Sequence, residues 1–194
     1  MKNIFLLLIA LSSSIFYSQQ IYPLNIHVED APRGSYFKDL DGELNPYIGL
    51  WKGNWNGKII YIELKKAKYY LGTTPTNGVY QDKILGERKI INADGSILID
   101  RISNFDSNQY HEFSGVNAKY SNPSQKQFYF VPKNMCGKTA NLDITFLDAA
   151  KTQMSLHLIY NPSTIDDTCP YYNSVIQGND FPINFPKDIV LTKQ

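Results

Sequence analysis

Side-chain catalysis needs ionisable groups that converge, so the histidines are the first residues to weigh. The chain has three. His27 lies among turn-forming residues, between Pro23 and Pro32. His111 precedes Glu112, and neighbours in an extended strand point to opposite faces, so the two cannot share a proton. His157 falls on the polar side of an alternating segment. All three read as surface histidines. The hydrolase pattern Gly-x-Ser-x-Gly, the metalloprotease pattern His-Glu-x-x-His and the glycine-rich phosphate loops do not occur. Asp39-Leu40-Asp41-Gly42-Glu43 starts like a calcium loop but lacks the remaining ligands and the spacing of an EF-hand. Asp166-Asp167 reads as an acidic turn. A carboxylate pair for glycoside hydrolysis assembles in space, so a hydrolase of that kind ranks last among the functional readings and requires two acids in one cleft. The expectation is a protein that is not an enzyme, with no catalytic, cofactor-binding or metal-binding residues and no cofactor.

Cys136 and Cys169 are the two cysteines, 33 residues apart. A zinc site would need further ligands at suitable spacing, and a redox pair is more usually Cys-x-x-Cys. In an exported chain the two are expected to form a structural disulfide.

Export is what the start of the chain announces. Lys2 supplies a positive charge, and Ile4 to Leu11 is an unbroken apolar run that Ser12, Ser13 and Ser14 end. That is the layout of a signal peptide over residues 1–18, with cleavage near Ser18. A transmembrane helix needs roughly 20 apolar residues, more than this run provides, and no second such run follows. Cleavage after Ser18 leaves Gln19 first. A lipoprotein would need cysteine there, so an N-terminal lipid anchor is excluded. The expected location is the periplasm or the cell exterior. Lys2 is the one charge in residues 1–18, so the 19 basic residues become 18, against 18 acidic ones. A neutral, scattered charge distribution gives no reason to expect nucleic acid as a partner. Lys65-Lys66-Ala67-Lys68 reads as a solvated strand end.

The elements behind these residues are strands. Fourteen Tyr and ten Phe suit a strand-rich protein. Residues 19–46 form a leader rich in turn signals, with a short helical turn expected around Tyr36–Leu44. From residue 47 to 194 a single β domain is expected. Ile48–Trp55 and Lys58–Lys65 flank Asn56-Gly57, the strongest short hairpin signal. Val79–Ile91 and Ser96–Ile102 flank Asp94-Gly95. Gln109–Ala118 and Lys126–Val131 are separated by a turn at Ser121-Asn122-Pro123. Leu142, Ile144 and Phe146 alternate with polar residues, as do Met154, Leu156, Leu158 and Tyr160. Residues 161–186 are irregular and proline-rich, and Ile189–Thr192 closes the set. About nine short strands joined mainly by tight turns make an all-β fold. An antiparallel up-and-down barrel is preferred to the alternative, a β-sandwich.

Gly49-x-Trp51, at the start of the first barrel strand, resembles the opening motif of the lipocalins, in which the tryptophan packs across the closed end of the barrel. A wider resemblance joins Pro32-x-Gly34-Ser35-Tyr36-x-Lys38-Asp39-Leu40, Leu44 and Tyr47-x-Gly49-x-Trp51-x-Gly53 to Cys136, Cys169-Pro170 and the ending Leu191-Thr192-Lys193-Gln194. This pattern is similar to that of a family of small exported proteins of unknown function, seen mainly in Bacteroidota. The resemblance implies a single exported domain and carries no activity. The leading functional expectation is an exported binding protein on a lipocalin-like barrel, with a small apolar ligand or no ligand at all. The competing one is a surface module that meets another exported protein through exposed Tyr and Phe, for instance from 161–186. An interior packed solid with aromatic rings would count against the first, and scattered exposed aromatics against the second.

Overall fold

The computed structural model describes residues 19–194 apart from 75, 108–109, 134, 162–164, 179–180 and 183. The expected signal peptide and its expected cleavage point lie outside the described residues. The described residues form eleven strands and almost no helix: β1 (Ile21–Pro23), β2 (Tyr36–Lys38), β3 (Gly49–Trp55), β4 (Lys58–Leu71), β5 (Val79–Ile91), β6 (Ile97–Asp100), β7 (Phe113–Lys119), β8 (Asn122–Phe130), β9 (Ala140–Phe146), β10 (Gln153–Tyr160) and β11 (Asp188–Lys193). A five-residue helix, α1 (Tyr172–Ile176), interrupts the irregular segment before β11.

The strands run in the order β5-β4-β3-β11-β10-β9-β8-β7, and β7 pairs with β5, which closes a ring of eight. Sequence neighbours are spatial neighbours throughout, with β6 set aside as an extra partner of β5. This is the up-and-down barrel that the hairpin signals predict. Asn56 and Gly57 form the first turn, both with positive φ, as a type I′ hairpin requires.

Contacts divide the described chain into two compact units: residues up to Leu40 with Tyr69–Asp82, and Asp41–Lys68 with Lys83–Gln194. The first holds β1 and β2, which pair in parallel, and β2 pairs in parallel with β5 at Tyr80 and Gln81. Its core is Phe37, stacked on Tyr22 at 5.6 Å. The Tyr36 hydroxyl donates to Asp82 Oδ1 at 2.5 Å, and the Asp39 backbone N–H donates to Oδ2 of the same carboxylate. Tyr36 thus begins a strand rather than a helical turn. The turn of helix lies further on, as a 3-10 segment at Asn45–Tyr47 with Pro46 in its first turn.

The second unit contains the barrel. Paired residues point to the same side, so the register identifies the interior. Trp51 opposes Ile62, Gly53 opposes Ile60, and Gly86 opposes Phe113. Phe113 in turn opposes Phe130, Phe128 opposes Leu142, and Ile144 opposes Leu156. Leu191 opposes Met154. Except for the two glycines, every one of these is at most 5% exposed. The clean alternation of β9 and β10 is borne out as one buried and one wetter face. Pro123 differs from its predicted place in a turn. Lys119 pairs with Asn122, so the turn is Tyr120-Ser121 and Pro123 enters β8. The register of β7 against β8 is irregular there, and a bulged strand end tolerates the missing N–H.

Candidate functional site

One end of the barrel is closed by residues of the Gly-x-Trp-x-Gly segment. Trp51 is fully buried, and its Nε1–H donates to the Tyr47 carbonyl at 2.7 Å. The 3-10 turn before β3 is thereby fixed under the ring. Phe146 packs against Tyr47 at 5.1 Å and Trp51 at 6.4 Å. Lys193, opposite Trp51 in β11, holds its ammonium 5.3 Å from the indole centroid and donates to the Pro46 carbonyl. The glycines have a mechanical reason. A Cβ on Gly53 would lie 2.7–2.8 Å from Leu191, Ile189 and the Val190 carbonyl, and would force β11 off β3. Gly49 takes φ +132°, with the Lys193 side chain 3.0 Å from where its Cβ would stand.

The other end has a different closure. Ile84, Gly86, Arg88 and Ile90 share one face of β5, and Gly86 faces the interior, so Arg88 does too. Arg88 is fully buried. Its Nε donates to Glu112 Oε2 at 2.7 Å, and Nη2 donates to Glu112 Oε1 at 3.3 Å. Glu112 is also buried, and its Oε1 accepts the Lys133 backbone N–H at 2.9 Å. Asn184 completes the set: its backbone carbonyl accepts from Nη1 and its Oδ1 from Nη2 at 3.0 Å. Phe130 and Phe185 lie 5.1 and 5.9 Å from the guanidinium carbon. Phe185 packs on Phe130 and Phe113 with centroids 5.0 and 5.9 Å apart, and is itself buried. Asn184 and Phe185 belong to the connection between β10 and β11. That connection is tied to the β8–β9 connection by the predicted disulfide, Cys136–Cys169, with Cα atoms 5.5 Å apart. The Leu158 N–H donates to the Lys187 carbonyl at 2.7 Å and pins the connection's last residues.

The outer face of β5 carries a second buried charge. Glu87 is fully buried, and Arg101 grips it through Nε at 2.6 Å and Nη2 at 3.0 Å. The same pair is the main cause of the rise in the Arg101 pKa above the ordinary arginine value. His111 Nδ1 lies 3.2 Å from Glu87 Oε1, and the imidazole packs at a tilt against Phe105 with ring centroids 4.8 Å apart. His111 is therefore half-buried and paired, a correction to its reading as a surface residue. Its separation from Glu112 holds: one residue serves each face of β5. His157 is exposed as expected and pairs across the strands with Asp188 at 2.5 Å. His27 is exposed. Among the described residues no group of three or more His, Cys, Asp or Glu is placed to hold a metal ion.

An open pocket of about 360 Å³ occurs in the other unit, lined by Tyr70, Gly72, Thr73, Thr74 and Tyr80. The aromatics of the irregular segment pack together instead of forming a free patch: Phe181 meets Tyr160 at 6.3 Å and Tyr171 at 5.4 Å. Burial pushes the Tyr160 hydroxyl up to about 12. Among the more exposed tyrosines, Tyr69 stands on β4 and Tyr129 on β8, while Tyr110 precedes β7 and Tyr120 lies in the turn between β7 and β8.

Sequence reasoning missed Arg88, Glu112 and Asn184. One signal was available. A strand reading Ile84-Leu85-Gly86-Glu87-Arg88-Lys89-Ile90 places an arginine on the same face as Ile84 and Ile90, where a charge must be matched from elsewhere.

Together these features define a closed up-and-down β-barrel whose two ends are sealed by different devices. The chain belongs to the family described as a family of unknown function, DUF6705, which matches residues 1–194. No curated protein and no solved structure matches the chain.

Proposed function

We propose that this is an exported binding protein, not an enzyme, and that a small apolar molecule occupies the Phe185 end of the barrel. One observation carries the reading. Most of the interior is filled by strand side chains, Trp51, Phe113, Phe128 and Phe130 among them, which counts against a ligand deep in the barrel, but at that end the filler is Phe185, which comes from an irregular connection. Closed barrels of eight strands either fill themselves or hold one small ligand. Here withdrawal of a single connection exchanges the first state for the second. The Gly49-x-Trp51 opening and its capped end support the likeness to lipocalins. Export is supported by the apolar run Ile4–Leu11, by the Cys136–Cys169 bridge and by the lack, among the described residues, of a helix long and apolar enough to cross a membrane.

Two experiments test this. The protein is purified from its native host, extracted with organic solvent, and titrated with an apolar fluorophore such as N-phenylnaphthylamine. A stoichiometric apolar compound or saturable one-to-one fluorophore binding is expected. The absence of both would overturn the binding reading. N-terminal sequencing of the mature protein is expected to begin at Gln19, and an intact Met1 would overturn export.

A further inference from the structure

The two residues that fill the loop-sealed end have a chemistry that names what could replace them. Asn184 presents two neutral carbonyl oxygens to the guanidinium of Arg88, one from the backbone and one from the side chain. Its neighbour Phe185 puts an aromatic ring against Phe113 and Phe130. The pair therefore behaves as a tethered ligand, with an acceptor head on Arg88 and an apolar body in an aromatic niche.

The charge balance decides the class of a free ligand. Arg88 is already neutralised by Glu112, which grips it through both oxygens, and both side chains are at most 1% exposed. A carboxylate arriving at the Asn184 position would add a second anion to one buried cation. The cost of an uncompensated buried charge is several kcal/mol. A neutral carbonyl incurs no such cost and reproduces the bonds that Asn184 makes. We propose that the place held by Asn184 and Phe185 is a ligand site for a neutral amide or ester bearing an aromatic or short alkyl group, and that it rejects the corresponding acid. This rests on the reading of the barrel as a binding protein and assigns the chemistry of its ligand.

The test uses the full mature chain and two matched probes, 3-phenylpropanamide and 3-phenylpropanoate, titrated calorimetrically at pH 7. In the variant Asn184→Ala/Phe185→Ala the side-chain carbonyl and the aromatic ring are gone, and of the tethered occupant only the backbone carbonyl of residue 184 remains. The amide is expected to bind it at least about 10-fold more tightly than the acid, a difference of about 1.4 kcal/mol. The wild-type chain is expected to bind the amide more weakly than the variant does, because its own loop competes. Adding Glu112→Gln leaves Arg88 without its counter-charge and is expected to reverse the preference toward the acid. If the double variant fails to fold, Asn184→Ala alone removes the side-chain acceptor on Arg88 Nη2 and is titrated with the same probes. Equal or tighter binding of the acid with Glu112 intact overturns the proposal. So does failure of both probes on every folded variant. In either case saturable fluorophore binding by the wild-type chain leaves the barrel a binding protein, whereas its absence removes that reading as well.

Discussion

The two ends of the barrel use the same pairing, a cation against an aromatic ring, in opposite ways. At the Trp51 end every component comes from a strand or from the turn that leads directly into one. Lys193 is fixed by its register in β11, and its half-exposed ammonium lies over a ring and donates to a carbonyl. At the Arg88 end the cation is fully desolvated and needs a carboxylate, and part of its coordination is supplied by a long connection. The comparison teaches that the barrel has one seal built into its strand framework and one that is an attachment. A strand seal opens only when the barrel unfolds. An attached seal can open by local unfolding, at a lower free energy.

The sharpest way to break the comparison is to remove the central ring at each end. Trp51→Ala should cost about 3–5 kcal/mol of global stability, the range for loss of a buried aromatic core residue, measured by urea unfolding. Loss of the bridge through Cys136→Ser with Cys169→Ser should cost about 3–4 kcal/mol in the chain-entropy account of a 33-residue loop. It should also raise hydrogen exchange at the Leu158 N–H, which reports the loop, more than at strand amides of β3. Phe185→Ala should cost about 1–3 kcal/mol, less than Trp51→Ala, because the loop can leave while the strands stay paired. Equal costs from the two aromatic substitutions would erase the distinction between the ends.

Two smaller effects sharpen it. The Tyr160 hydroxyl lies at the attached end and is held up at about 12 by burial, above the usual 10. Its neutral form is favoured by folding. The associated stability is fully present below pH 10 and lost as pH rises to 12. Ultraviolet titration should show late-ionising tyrosines, Tyr36 and Tyr160 among them at about 12; Tyr160→Phe should remove one of these, and removing the disulfide should bring that one back toward 10. Lys193→Met should cost about 0.5–1 kcal/mol, the worth of a partly exposed cation over an indole. Its effect should be confined to global unfolding, with no change in exchange at Leu158.

What was readable beforehand follows the range of the interactions involved. The Asn56-Gly57 hairpin and the alternation of β9 and β10 are local patterns, and they survive unchanged because each is fixed by neighbours a few residues away. The leader's strands were hidden because β1 and β2 pair in parallel with distant segments, which no alternation within three residues can reveal. The charged pairs of β5 were hidden for a related reason. Arg88 meets Glu112 only because β7 closes the ring onto β5, and it meets Asn184 only because the long connection between β10 and β11 folds back. Cys136 and Cys169 were legible as a pair because covalent chemistry narrows the choice to one partner. Gly49, Trp51 and Gly53 were legible as a motif, while the closeness of β11 that explains the glycines was not.

That closeness also dictates a timetable. Trp51 lies in the first barrel strand and its partner Lys193 in the last, so the ring has no closing member until the C-terminal strand has been delivered. Until then β3 and β10 present unpaired edges, the kind that invite pairing with other chains. A ribosome or a translocation channel releases the N-terminal strands first. Completion of this barrel consequently waits for β11, and the emerging chain is exposed to aggregation for as long as that strand is withheld.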